Sequence, residues 1–202
     1  MPSKVYVPSY KDILDLANAN IDAYLLSIDV RIKIKIEANL QDIKTHKLMD
    51  ISARDSITQN EENYVWFYVP NIAGGTDCYY HKNLPIEKEV WEDELETNLN
   101  AQKNKEIIKK SIEIGHQWIF RRSAGQSAIV TLSYGMLAAS LAKLTDGIIY
   151  SDDGAWDYSI FPTTPEEFLL CYFRPEYSTD KTIKAFTKQC IVQLKNNMPS
   201  PL

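Results

Sequence analysis

Residues 116–161 read HQWIFRRSAGQSAIVTLSYGMLAASLAKLTDGIIYSDDGAWDYSIF. The stretch predicts strand, helix, strand, tight turn and strand. Its helix, 127–144, is apolar on nearly every side. Such a helix does not belong on a surface, so it should be a buried spine on which other elements pack. Gly147 is the expected stop, because a left-handed residue after a helix is easiest for glycine. Asp153-Gly154 predicts a hairpin turn, with 148–150 and 156–161 as its strands. The spine would then be the crossover between a strand at 111–121 and the hairpin.

Upstream, Ile112, Ile114, His116, Trp118 and Phe120 alternate with more polar residues, the period of a strand. Residues 64–69, YVWFYV, form an aromatic strand closed by Pro70; Asn71 to Gly75 turn and 76–81 return. Val90, Trp91, Leu95 and Leu99 fit one helical face, which Ile107 and Ile108 extend. At the N-terminus, Ser9 and Asp12 have the spacing of a capping box, and Ile13, Ala17, Ile21 and Leu25 recur at helical spacing. Val30, Ile32, Ile34 and Ile36 alternate with charges as in a half-buried strand, and 37–53 reads helical. One long helix over 28–53 is the rival. Downstream, Thr164-Pro165-Glu166-Glu167 starts a helix that ends before Pro175, and Asp180 caps a last one over 181–194.

These elements predict a single α+β domain over 1–202, with a mainly helical part at 1–55 and a strand–helix–hairpin unit at 111–161. It would hold a mixed sheet of about five strands around the buried helix, with flanking helices. The chain has 202 residues, 45% hydrophobic, enough for a core without staples. Its three cysteines, Cys78, Cys171 and Cys190, have no metal-ligand or redox spacing, so a reducing cytoplasm is the expected compartment. No secretory leader or membrane span is legible. A net charge of −5 disfavours nucleic acid and suits a basic protein partner.

No catalytic motif, cofactor fingerprint or metal site emerges. Asp152, Asp153 and Asp157 are the most metal-like cluster, yet the hairpin turn explains Asp153-Gly154 without an ion. His116 would serve as a general base only beside a carboxylate such as Asp152 or Asp157; a buried, hydrogen-bonded histidine is the simpler reading. Arg121 and Arg122, ahead of the spine helix, are the best anion-binding candidates, against a structural ion pair with one of those aspartates. Glu87, Glu89, Glu92, Asp93, Glu94 and Glu96 surround Trp91. A solvated helix face explains them; a docking surface anchored by Trp91 is the functional alternative.

The segments HQWIFRRSAGQ and YGMLAASLAKLTDGIIYSDDGAWDY, followed by a Pro-Glu-Glu helix, resemble immunity proteins of bacterial polymorphic-toxin, type VI and contact-dependent systems. The resemblance covers roughly the last ninety residues. It implies a cytoplasmic, non-enzymatic protein that occludes a cognate toxin, and a homodimer is compatible with it. Contacts are expected from Glu87, Glu89, Trp91, Glu92, Asp93, Glu94 and Glu96, and from Asp152, Asp153, Trp156 and Asp157 on the hairpin. The alternatives are a hydrolase using His116 with Asp152 or Asp157, and a structural subunit of a phage or secretion assembly.

Overall fold

The computed structural model describes residues 6–151 and 156–196. Helix α1 (Tyr10–Ser27) opens as expected: the Ser9 hydroxyl accepts from the Asp12 N–H, and the Asp12 carboxylate accepts from the Ser9 N–H. Its apolar stripe, including Ile13, Ala17, Ile21 and Leu25, is fully buried. In segment 30–36 burial does alternate, with Val30 and Ile36 inside and Arg31, Lys33 and Lys35 outside. The segment joins no ladder, however; the Ile36 N–H donates to the Asn18 side chain instead. The expected helix over 37–53 is absent. Strands β1 (Glu37–Asp42) and β2 (Leu48–Met49) stand there. Six register pairs with β3 (Asn63–Tyr68) hold β1, a tertiary override of local propensity.

β4 (Thr76–Lys82) pairs with β3, and β5 (His116–Arg121) pairs with β4. The sheet order is β2-β1-β3-β4-β5. All four pairings are antiparallel, where a crossover helix implied a mixed sheet. Between β4 and β5 run α2 (Pro85–Thr97), α3 (Leu99–Lys103) and α4 (Lys105–Ile114). The strand expected from 111 begins only at 116, because 105–114 is helical and Gly115, at φ 80°, terminates the helix. The repeat Ile108, Ser111, Ile112 serves the helix as well as Ile112, Ile114 serves a strand.

Helix α5 (Ala128–Leu144) is the spine, with twelve buried residues. Fully burying each large one, such as Leu132 or Leu137, contributes about 1.5–3 kcal/mol. It packs against α1 and against one face of the sheet, where Val65, Phe67 and Cys78 join the same core. Gly147 is not the left-handed residue. Asp146 takes φ 50°, and the Gly147 N–H caps the Ala142 carbonyl at 2.8 Å.

The hairpin is the main departure. Its turn, Asp153-Gly154, lies outside the described residues, but neither of its expected strands joins the sheet. Ile149 makes a single bridge to Thr163, and Tyr158–Ile160 is a 3-10 turn. Side chains have taken the backbone groups that a ladder needs. Asn100 donates to the Ser159 carbonyl (2.9 Å), Asn98 to that of Phe161 (3.0 Å) and Asn104 to that of Pro162 (3.3 Å). Helices α6 (Pro165–Cys171), capped by Thr164, and α7 (Lys181–Asn196), capped by Asp180, complete the α+β domain.

Candidate functional site

A groove of about 670 Å³ opens beside β5. Helices α2 and α4 form one wall, α5 the floor, and residues 147–151 the far side. Glu87, Trp91 and Glu94 of α2 face into it, and the Trp91 ring meets that of Tyr150 at 5.1 Å.

Helix α2 is displayed rather than packed: none of its residues is fully buried. Ile86 and Val90 are 58% and 48% exposed. The helix carries six of the chain's 27 acids and one of its 22 bases, Lys88, leaving 21 of each elsewhere. The net charge of −5 is therefore the charge of this helix. Among the described residues no α2 carboxylate makes an ion pair with a lysine or arginine. Glu87 accepts from the Leu84 N–H and from the Gln117 amide (2.7 Å), and stands 3.6 Å from His81. Glu94 accepts from Asn98. Glu89, Glu92, Asp93 and Glu96 are exposed.

The other expected site residues disperse. The His116 imidazole borders the groove, packed edge-on against Trp118 at 5.1 Å and near Tyr80 at 5.2 Å. Burial lowers its pKa, partly offset by the Ile114 backbone, and the net shift favours the neutral ring. Among the described residues no carboxylate hydrogen-bonds to it. Asp157, one of the two partners that the hydrolase alternative would need, is 4% exposed and fully engaged elsewhere. It accepts from the Ser159, Thr179 and Asp180 N–H groups and from the Ser159 and Ser178 hydroxyls. Burial alone would raise its pKa; these donors outweigh burial and hold it well below the usual carboxylate range. Asp157 is thus a buried loop clasp rather than a surface group, and it makes no hydrogen bond to His116. Trp156 is likewise internal, at 3% exposure, between Tyr172 and Phe173. Asp152 and Asp153 lie outside the described residues.

Arg121 and Arg122 do not converge on one anion. Arg121 sits opposite Asp77 across the β4–β5 ladder, whereas the Arg122 guanidinium lies 5.5 Å over the Tyr134 ring. Neither arginine pairs with Asp157; Asp152 and Asp153, the other expected partners of an ion pair, lie outside the described residues. Among the described residues no group of three or more metal-type side chains exists, and no helix is long and apolar enough to cross a membrane.

Two features escaped the sequence reading. One is the second face of the sheet, where Tyr64 stacks on Tyr79 at 5.2 Å and Trp66 lies over Gly75. The signal was present in YVWFYV: strand alternation puts Tyr64, Trp66 and Tyr68 on the face opposite Val65 and Phe67, and Trp66 and Tyr68 are the half-buried ones. The other is the free edge of β5. Comparison with protein-family models, curated proteins and solved structures gave no match.

Proposed function

We propose that this protein is a cytoplasmic, non-enzymatic binder that neutralises a basic cognate toxin by occluding it, as immunity proteins do. The observation that carries the reading is the confinement of the chain's whole charge excess to α2, a helix with no buried residue that borders the groove. A field of one sign on a displayed helix steers a basic partner and raises its association rate. Trp91 beside this acid rim supplies the aromatic anchor such interfaces favour.

The test is co-expression with the product of the adjacent gene. A stable complex and suppressed toxicity are expected. Absence of a complex with any neighbouring toxin overturns the reading. Reversing Glu92, Asp93 and Glu94 to lysine should slow association about tenfold at low salt, with less change in dissociation. A loss that does not weaken with added salt would sink the electrostatic account.

A further inference from the structure

The two edges of the sheet are built differently. β2, at one end, is two residues long, and so short an edge offers little to pair with. β5, at the other, is six residues long and reads HQWIFR, with no proline or lysine to blunt it. Apart from its ladder to β4, residues 116–121 make no backbone–backbone hydrogen bond among the described residues. Among the described residues, the Phe120 carbonyl is met only by the Tyr134 hydroxyl, at 3.4 Å.

The groove's position follows the same edge. A cavity over one face of a strand touches every second residue, because side chains alternate. Here all six consecutive residues of β5 border the groove. It therefore runs along the open edge, with Glu87 and Glu94 of α2 beside it.

From this we infer that the groove receives an extended segment of a protein partner, which adds to β5 as a sixth strand. This rests on the reading that the partner is a protein. At about 3.3 Å per residue, the edge accommodates about six residues of that segment. Charge sets its character: Glu87, bonded to Gln117, marks the His116 end, and Arg121 marks the other. The segment should carry lysine or arginine near His116 and none near Arg121. Main-chain bonds would supply affinity, and side chains on alternate positions specificity.

The test uses the full-length protein and linear octapeptides selected on it from a random library. Enriched peptides should be basic at one end. Methylating their backbone nitrogens at one parity should weaken binding about tenfold, as each lost hydrogen bond implies, and at the other parity less than about threefold. Amide exchange should slow at 116–121 when peptide binds. No enrichment, indifference to parity, or protection elsewhere overturns the inference. So does slow exchange at this edge in the free protein as a dimer, which would mean that a second copy occupies it. If these peptide assays fail while toxin capture still depends on α2, strand addition falls and the binding reading stands. If both fail, both fall.

Discussion

Replacing Gly135 by alanine separates what α5 prefers as a helix from what it tolerates as a spine. In an isolated helix interior the change is favourable by about 1 kcal/mol. Here a methyl group at 135 would sit 2.3 Å from the Tyr172 ring. That ring is held by its neighbours and by its own hydrogen bond. It is packed at 4.6 Å from Phe168 and 4.7 Å from Trp156, and its hydroxyl donates to the Thr131 carbonyl at 2.5 Å. Overpacking typically costs about 1–3 kcal/mol, and a contact this short against an aromatic wall belongs at or above the upper end. The net expectation is a loss of about 2 kcal/mol, or about 4–8 °C in Tm for a chain of this size. Thermal unfolding followed by circular dichroism reads it, with urea midpoints at unchanged slope as the check. The decisive measurement is the same substitution in a Tyr172→Leu background. With the ring gone, the helix preference should prevail and Gly135→Ala should stabilise by up to about 1 kcal/mol. Stabilisation in the unmodified chain, or an equal loss in both backgrounds, refutes the packing account.

Three further outcomes follow from the described contacts. Asp157→Asn should destabilise by at least about 2 kcal/mol at pH 7, because buried donors lose their charged acceptor. The folded pKa of Asp157 is depressed, so its contribution is full above about pH 4 and fades as pH falls through the folded value. The gap between parent and variant in urea titrations should therefore shrink between about pH 5 and pH 2; a constant gap would show that the carboxylate's charge is irrelevant. Ser9→Ala should cost about 1 kcal/mol through loss of the α1 cap, whereas Ser56→Ala, on an exposed residue, should stay within about 0.5 kcal/mol. Asn98→Ala combined with Asn100→Ala should free the carbonyls at 159–161, which faster amide exchange around that segment would report; unchanged exchange would mean that these amides hold nothing.

The elements legible in the sequence were those whose local signals agreed. The capping box at Ser9, the Thr164-Pro165 start and the all-apolar spine each had a local chemical cause, and each stands where expected. Residues 37–42 were misread because nothing local makes them a strand; their partner is β3, more than twenty residues on. The candidate site was legible only in part. Charge marked α2, but the convergence of His116 with Asp157 depended on a hairpin that three asparagines and an aspartate clasp displace. Side-chain capture of backbone carbonyls across about sixty residues leaves no periodic trace.

That one misreading also locates the site. Had 148–161 returned as two strands, they could have extended the sheet, and a strand seated on β5 would have closed its edge. Instead Asn98, Asn100 and Asn104 hold 159–162 away from the sheet, and Asp157 ties the same loop to Ser178, Thr179 and Asp180. The sheet stops at β5, and the space beside it becomes the groove that α2 borders. A chain gains little stability from a six-residue edge with no further ladder among the described residues, beside its most acidic helix, and such edges invite association. Where local rules predict closure and the fold withholds it, function is the reason to look for. Here the same polar clasps that cost the domain two strands keep open the surface on which a basic, extended partner would dock.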